Sequence, residues 1–248
     1  MGLRNKLAYF MRVAARYLED PAQLRMRRPY FLPEMYMALG KPWVQQLGIR
    51  TILDIGASVG NFAFTVRPLF PMATIYSFEP LPDQFAELQQ NMVGVERFHA
   101  YNLGVGDQDT EMVIHKSQHA PSSSFLTMGD LHKRSFPTTA PVTNNVPVKV
   151  VRLDGLQGEM NLVAPLLAKI DVQGYELHVL RGGEQTLRQA KALIIETSFQ
   201  PLYEGGPLFA DVFDVVTGWG FTYQGAVDAL EDPTNGVLLQ EDSLFVRT

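Results

Sequence analysis

The chain has 248 residues, 46% of them hydrophobic, which is enough for one sizeable core. It contains no cysteine, so disulfides and thiolate metal sites are excluded, and the composition suits the reducing cytoplasm. No apolar run approaches the roughly 20 residues that cross a bilayer, and no signal peptide is recognisable.

The charge is distributed unevenly along the chain. Residues 1–28 carry +5 and the rest of the chain carries −10, for a formal net charge of −5. Because an acidic body repels a phosphate backbone, we expect no nucleic-acid substrate.

Residues 1–48 are predicted to form a basic helical extension. Apolar residues recur at helical spacing through residues 3–18, with arginines between them and Pro21 after them, which indicates an amphipathic helix. Such a helix can pack on the main domain, contact a membrane surface peripherally or pair with a second copy in a homodimer. A further helix is expected around residues 34–47, with Gly48 as its C-terminal cap.

From residue 49 to residue 248, short aliphatic runs alternate with helical patterns, which predicts βαβ units and a parallel sheet. The predicted strands are Thr51–Ile55, Thr74–Phe78, Glu96–Tyr101, Leu167–Asp171, Ala192–Glu196, Phe221–Gln224 and Ser243–Arg247. The predicted helices are Asn61–Phe70, Pro82–Met92, Tyr175–Ala190 and Leu208–Gly218. Residues 104–147 break this rhythm with a single predicted strand, Glu111–His115, so we expect a cover over a site.

A glycine-rich turn follows the first predicted strand. Asp54 is followed by Gly56 and Gly60, spaced G-x-x-x-G, and a helix is predicted to begin directly after them. Glycines let the backbone approach a ligand closely, and the first helical N–H groups face it. A dinucleotide site would have glycine in place of Asp54, whose carboxylate repels a pyrophosphate but can pair with an amino group. The turn therefore favours S-adenosylmethionine, which carries an ammonium and a sulfonium.

An acidic residue at the end of the second predicted strand supports the same cofactor. Glu79 follows Phe78, 25 positions after Asp54, at the edge where the carboxyl ends of neighbouring parallel strands meet. Its carboxylate can accept hydrogen bonds from both ribose hydroxyls there. The turn and the acid together, in this order and spacing, predict an S-adenosylmethionine site rather than an ordinary glycine turn.

Over roughly residues 50–247 the chain resembles the FkbM family of S-adenosylmethionine-dependent methyltransferases. The matching segments are Asp54–Phe62 (DIGASVGNF), Phe78–Pro80 (FEP), Leu103–Asp107 (LGVGD), Ser122–Phe125 (SSSF), Val151–Leu156 (VRLDGL), Lys169–Gly183 (KIDVQGYELHVLRGG) and Asp242–Arg247 (DSLFVR). The segment from Lys169 is the most specific, because generic methyltransferases share the glycine turn but not that run. Ser58 and Gln173 depart from the family pattern, in which Asn and Glu are common at these positions.

The resemblance implies a class I methyltransferase fold, which is a Rossmann-like α/β domain whose seven-stranded, mostly parallel sheet is flanked by helices. It also implies methylation of a hydroxyl on a sugar, glycolipid or polyketide-like metabolite. Together with the turn and the strand end, the matching segments nominate these cofactor-binding residues: Asp54, Gly56, Ala57, Ser58, Gly60, Asn61, Phe62, Glu79, Pro80, Gly106, Asp107 and Asp171.

Catalysis is predicted where the Leu167–Asp171 strand ends. An acceptor alcohol must lose its proton, and we assign Asp171 as the general base, with Lys169 and Glu196 as the other catalytic candidates. Asp171 and Glu196 on one edge could also hold Mg²⁺, although the sequence does not require a metal. Asp171 could instead cap the helix that follows it.

Candidate acceptor-binding residues are predicted in the cover and in the turns around it. They are Ser124, Gln173, Glu176, Tyr203 and Glu204. Structural alternatives exist, because Ser124 lies in a serine-rich loop, Glu176 can serve the helix dipole, and Tyr203 and Glu204 can belong to an ordinary turn.

Two alternatives from other functional classes remain open on the residues alone. One is a Rossmann oxidoreductase that uses NAD, against which the missing first glycine argues. The other is a protein that binds S-adenosylmethionine without catalysing a reaction.

Overall fold

The structure is a computed structural model that describes residues 30–117, 123–136 and 141–247. The predicted basic helix at residues 3–18 and Ser122 of the SSSF segment lie outside these ranges. Peripheral membrane contact and homodimer formation through that helix therefore stay predictions. None of the described helices has the length and apolar character needed to cross a membrane.

The described strands and helices alternate along most of the chain. The strands are β1 (Thr51–Ile55), β2 (Thr74–Phe78), β3 (Phe98–Tyr101), β4 (Gly104–Val105), β5 (Thr110–Ser117), β6 (Pro141–Val151), β7 (Leu166–Ile170), β8 (Ala192–Ser198), β9 (Thr222–Glu231) and β10 (Leu238–Val246). The α-helices are α1 (Pro33–Leu39), α2 (Pro42–Gln45), α3 (Asn61–Val66), α4 (Pro82–Asn91), α5 (Asp130–Ser135), α6 (Glu176–Gly182), α7 (Glu184–Leu187) and α8 (Phe209–Gly218).

Seven strands form the main sheet in the order β3-β2-β1-β7-β8-β10-β9. Neighbouring strands are parallel, except that β10 runs antiparallel to both β8 and β9. The predicted fold class, a Rossmann-like and mostly parallel seven-stranded sheet flanked by helices, is confirmed. Strand order reverses between β1 and β7, where open α/β sheets form a ligand crevice outside the carboxyl ends of their strands.

Helices cover both faces of the sheet, so its central strands are buried along their whole length. All residues of β1 and β7 are buried. Because side chains alternate along a strand, Ile52 packs in the cluster that includes residues of α1, α3 and α4, whereas Leu53 packs with residues of α6, α7 and α8. This packing fixes the strand ends, and with them the side chains that follow each strand.

Proline and glycine shorten or divide three of the predicted helices. The helix predicted over residues 34–47 consists of α1 and α2, because Pro42 cannot continue the hydrogen bonding of a preceding turn. The helix that begins at Asn61 ends at Val66 rather than Phe70, since Pro68 has no N–H to continue the helical hydrogen bonding. The helix predicted over Tyr175–Ala190 is divided at Gly183 into α6 and α7.

The prediction of a single strand within residues 104–147 was wrong. β4, β5 and β6 form a second sheet in the order β4-β6-β5, and β5 pairs antiparallel with β6 from Thr110 opposite Val150 to Ser117 opposite Pro141. Its buried residues Ile114, Val148 and Val150 pack against Leu81, which follows β2. The Thr, Asn and Pro residues of β6 interrupt its apolar pattern, which is why the sequence did not reveal it.

Gly182, near the end of the KID segment, lies against the backbone of Gly106. A Cβ atom at Gly182 would lie 1.7 Å from the Gly106 carbonyl oxygen. We expect Gly182→Ala to lower the free energy of unfolding by about 1–3 kcal/mol, because the two segments must move apart. Urea unfolding would measure the change.

Gly218→Ala is the matched control, because Gly218 is also the last residue of a helix and a Cβ atom added there would meet no atom of the described residues within 4 Å. It should be neutral or slightly stabilising, since alanine has the higher helix propensity. Equal stabilities for the two variants would contradict the close approach.

Candidate active site

A cleft of about 640 Å³ opens where β1, β2 and β7 end. Gly56 and Ser58 follow β1, Glu79 follows β2 and Asp171 follows β7, and all four line the cleft. The small sheet and the segment after residue 122 form the opposite wall, with Gly104, Val105, Ile114, Ser123, Ser124 and Phe125. The cleft therefore occupies the position at which the strand order reverses, where this class of sheet binds ligands.

The turn after β1 brings backbone, rather than side chains, to the cleft. Gly56 has φ +84°, and a Cβ atom there would lie 1.8 Å from the carbonyl oxygen of Asp171. Only glycine fits, because both the conformation and the contact exclude a side chain. Gly60, at φ +94°, then precedes α3, so the predicted helix start is confirmed.

Glu79 is 6% exposed and joins the turn after β1 to the segment after β2. Its Oε2 accepts a hydrogen bond from the Ser58 N–H at 2.8 Å, and its Oε1 accepts one from the Leu81 N–H at 2.8 Å. Burial raises its pKa to about 7, although these two backbone hydrogen bonds oppose the rise. Each carboxylate oxygen retains acceptor capacity for a ligand hydroxyl.

Asp54 is fully buried beneath the turn and does not line the cleft. It lies opposite Ser77 of β2 and Lys169 of β7, and the Ser77 hydroxyl donates to its Oδ2 at 3.0 Å. Burial raises its pKa to about 6, while Lys169 and Ser77 lower it. Its Oδ1 has no hydrogen-bond partner in the described part of the chain, so one acceptor stays free beside the turn.

Lys169 is 5% exposed, and its Nζ lies 2.8 Å from Asp171 Oδ2. Both side chains project from the same face because they are two positions apart along one extended segment. Burial lowers the pKa of Lys169, but attraction to Asp171, Asp242 and Asp54 raises it overall above its ordinary value. The ammonium also lies 5.7 Å from the ring centroid of Phe62.

The side chain of Gln173 connects Asp171 to Glu196. Gln173 Nε2 lies 2.7 Å from Asp171 Oδ1 and 2.7 Å from Glu196 Oε2. The hydroxyl of Tyr203 donates to Gln173 Oε1. Burial, followed by the charges of Asp171, Glu176 and Asp242, raises the pKa of Glu196 well above its ordinary value.

Ser124 ties the cleft wall to the turn after β7. Its hydroxyl donates to the Gln173 carbonyl oxygen at 2.6 Å and accepts from the Leu126 N–H at 2.9 Å. Phe125 packs on Tyr175, with ring centroids 5.0 Å apart.

Glu176 is turned toward the backbone rather than toward the cleft. Its Oε1 accepts from the Gly174 N–H at 3.0 Å and from the Val172 N–H at 3.3 Å. Burial raises its pKa to about 7. This placement at the start of α6 favours the structural alternative for Glu176 over an acceptor contact.

The structure brings part of the predicted site together and places the rest elsewhere. The predicted residues that line the cleft are Gly56, Ser58, Glu79, Pro80, Ser124, Asp171 and Gln173. Those outside its lining are Asp54, Ala57, Gly60, Asn61, Phe62, Gly106, Asp107, Lys169, Glu176, Glu196, Tyr203 and Glu204.

Gly106 and Asp107, which were predicted to bind the cofactor, contact α6 in the structure. Gly106 packs against Gly182, and Asp107 Oδ2 lies 2.9 Å from Nδ1 of His178 on α6. The two residues dock the segment after β4 on that helix. Glu204 is exposed, and its N–H donates to the carbonyl oxygen of Thr127.

Several apolar residues of the cleft were not predicted. Leu81, Leu103, Ile114 and Phe125 all line it. Phe125 ends the SSSF segment and Leu81 follows FEP, so these two could have been found beside their motifs. Ile114 lines the cleft because it lies on β5 of the second sheet, which the sequence did not predict.

Glu196 also lines a second cavity, of about 410 Å³, together with Asp228, Glu241 and Asp242. Asp242 lies opposite Glu196 in the β8–β10 pairing. Within residues 30–117, 123–136 and 141–247, no three His, Cys, Asp or Glu side chains are arranged to hold a metal ion. The Gln173 amide lies between Asp171 and Glu196, the two residues considered from the sequence as Mg²⁺ ligands.

Comparison with known proteins gives a family match over most of the chain. Residues 54–223 match the family model of the methyltransferase FkbM domain. "Methyltransferase 1" of Beauveria bassiana is 33% identical over 142 residues, which cover 53% of this chain and 57% of that protein. The chain thus spans little more than half of the length of that relative.

Two further relatives are matched over more of their length. The 2-O-methyltransferase NoeI of Sinorhizobium fredii is 29% identical over 178 residues, covering 70% of this chain and 73% of that protein. The 31-O-demethyl-FK506 methyltransferase FkbM of Streptomyces tacrolimicus is 27% identical over 210 residues, covering 72% and 75%.

The buried carboxyl of Glu176 predicts a measurable dependence of stability on pH. Its pKa in the folded protein is about 7, above the ordinary value of about 4.5, so its contribution is complete below pH 4.5 and is lost as the pH rises through 7. Relative to Glu176→Gln, which does not titrate, the wild-type protein should lose free energy of unfolding between about pH 5 and pH 7.5. Urea titrations of both proteins at several pH values would measure the difference. A wild-type stability that stays constant relative to Glu176→Gln, or increases relative to it as the pH rises, would contradict the burial of this carboxyl.

Proposed function

The chain belongs to the FkbM methyltransferase family, and we propose that it transfers the methyl group of S-adenosylmethionine to a hydroxyl of a sugar, glycolipid or polyketide-like acceptor. The observation that carries the proposal is the convergence of Gly56, Glu79 and Asp171 on one cleft from three different strands. The family match displaces the NAD-dependent oxidoreductase considered from the sequence.

The cleft has features that suit S-adenosylmethionine. Its lining combines apolar side chains with a few polar groups, as small-molecule sites commonly do. Glu79 offers carboxylate oxygens for the ribose hydroxyls, and the Gly56 turn offers close backbone approach for the amino-acid end. Leu81, Ile114 and Phe125 offer apolar surface for a purine ring.

We assign the proton acceptor to Asp171, the carboxylate that lines the cleft beside Gly56. When bound, S-adenosylmethionine supplies an electrophilic methyl carbon on a positively charged sulfur, and its transfer leaves a neutral thioether. The acceptor hydroxyl loses its proton to a carboxylate oxygen of Asp171 as the new carbon–oxygen bond forms. Lys169 and Gln173 each hold one oxygen of that carboxylate, which fixes its direction. Alignment of the reacting groups can contribute about 7–11 kcal/mol to such a step.

The carboxyl groups around the second cavity suit a hydroxylated acceptor. Glu196, Asp228, Glu241 and Asp242 line it next to the Asp171–Gln173 contact. Carboxyl groups accept hydrogen bonds from hydroxyl groups, so we expect a polyhydroxylated acceptor. Two of the relatives are named for methylation at oxygen, which supports the same chemistry.

Asp171→Asn tests the proposed function, because asparagine keeps the shape of the side chain but cannot take up the proton. We expect kcat to fall by about 10²–10⁴-fold, with the Kd for S-adenosylmethionine changed by no more than about threefold. The assay would use methyl-labelled cofactor with neutral oligosaccharides, uronic-acid oligosaccharides and macrolides as acceptors. The exposed Asp214→Asn in α8 is the control and should retain wild-type rates.

Label transferred to an oligosaccharide or macrolide by the wild-type protein supports the proposal. A wild-type protein that neither binds the cofactor nor labels any acceptor would contradict it. An Asp171→Asn variant that transfers methyl groups at the wild-type rate would contradict the assignment of the base.

A further inference from the structure

The side-chain amide of Gln173 is shared by two carboxylates. Its nitrogen lies 2.7 Å from Asp171 Oδ1 and 2.7 Å from Glu196 Oε2. An amide nitrogen carries two hydrogens, so each carboxylate receives one of them and the donor capacity of the group is used completely. Gln173 lines the cleft together with Asp171, whereas Glu196 faces the neighbouring cavity.

The orientation of the amide is determined by its surroundings. The hydroxyl of Tyr203, a residue that is 3% exposed, donates to the amide oxygen. Rotation of the amide by half a turn would place its oxygen against both carboxylates and its hydrogens against a hydroxyl that donates. The hydrogen-bond network therefore favours the orientation in which the amide nitrogen faces both acids.

The backbone of Gln173 is held in an uncommon conformation that directs this side chain. Its φ is 55°, in the left-handed region that non-glycine residues rarely adopt, and Gly174 follows at φ 95°. The Ser124 hydroxyl donates to the Gln173 carbonyl oxygen at 2.6 Å. Strain of this kind persists where the surrounding contacts determine the conformation, and it is concentrated at functional sites.

A neutral hydrogen-bond donor placed between two carboxyl groups counters their mutual repulsion. Two adjacent carboxylates repel each other, and one of them tends to take up a proton. The pKa of Glu196 is raised by its burial and then by the charge of Asp171, and Lys169 lowers it. The Gln173 amide stabilises the charged form of both acids without adding charge, so their contact is maintained while they remain able to accept a proton.

We propose that Gln173 is a positioning residue for methyl transfer: its NH₂ group clamps Asp171 to Glu196, and Tyr203 sets the direction of the clamp. The inference rests on the proposed function, in which Asp171 accepts the proton of the acceptor hydroxyl. It replaces the sequence-based expectation that Gln173 and Tyr203 contact the acceptor. Asp171 is the residue that meets the hydroxyl, and Gln173 acts through it.

The test compares Gln173→Met, Tyr203→Phe and the control Gln189→Met. Methionine matches the length of glutamine but does not donate a hydrogen bond to the two acids. Tyr203→Phe keeps the amide but removes the group that orients it. Gln189 is an exposed residue whose amide donates to the Gln185 carbonyl. For Gln173→Met we expect kcat at pH 7 to fall about tenfold or more. The acid limb of the pH–rate profile should move to higher pH by about one pH unit, because the charged forms of the acids lose a hydrogen-bond donor. KM for S-adenosylmethionine should change little. Tyr203→Phe should show the same shift with a smaller loss of rate.

A second readout does not depend on activity. Carbon-13 NMR titration of carboxyl-labelled protein should show the pKa of Glu196 raised further in Gln173→Met and Tyr203→Phe, and unchanged in Gln189→Met. Should Gln173→Met fail to fold, Tyr203→Phe supplies both readouts. An active wild type whose folded Gln173 and Tyr203 variants keep its pH profile and carboxyl titration would overturn the inference. An inactive wild type whose carboxyl pair still shifts in the variants would overturn the proposed function and leave the clamp standing.

Discussion

Lys169 is buried among carboxylates that come from two strands and the turn after β7. Asp54 projects from β1, Asp171 follows Lys169 itself, and Asp242 of β10 acts on it across β8. Burial of an unpaired ammonium would cost several kcal/mol, so the cation and its carboxylates can be buried only together. Asp54 beneath the cofactor turn and Asp242 beside the second cavity therefore surround the same ammonium and form one buried layer of charged groups with it. The carboxylates outnumber the ammonium, and such a layer attracts a positively charged sulfonium ligand.

The sequence predicted the central fold well because its signals are local. β1 and β2 have their predicted limits, and the order of strands and helices in the parallel half is as expected from the alternating pattern. β9 and β10 are exceptions: they extend over Thr222–Glu231 and Leu238–Val246, although only the beginning of β9 and the end of β10 were predicted. The second sheet was missed for a related reason: β4 has two residues, and β6 is stabilised by pairing with β5, a contact that no local pattern records.

The site was predictable wherever a residue follows a strand directly. Gly56, Glu79 and Asp171 were expected at one edge and are found there, because the carboxyl ends of parallel strands meet. The role of Gly106 was not predictable, since a glycine pressed against another backbone has the same sequence signal as a glycine at a ligand. Likewise, no spacing rule joins Gln173 to Tyr203, which reach each other only after the sheet is assembled.

The central claim is that the cleft between β1, β2 and β7 holds S-adenosylmethionine through Glu79. Calorimetric titration of S-adenosylmethionine into the wild-type protein, Glu79→Gln and the exposed Glu96→Gln tests it most directly. We expect saturable binding to the wild type and to Glu96→Gln, and binding to Glu79→Gln that is weaker by about tenfold or more, because a charged hydrogen-bond acceptor is lost. Absence of binding to the wild-type protein, or equal affinities for all three proteins, would contradict the account.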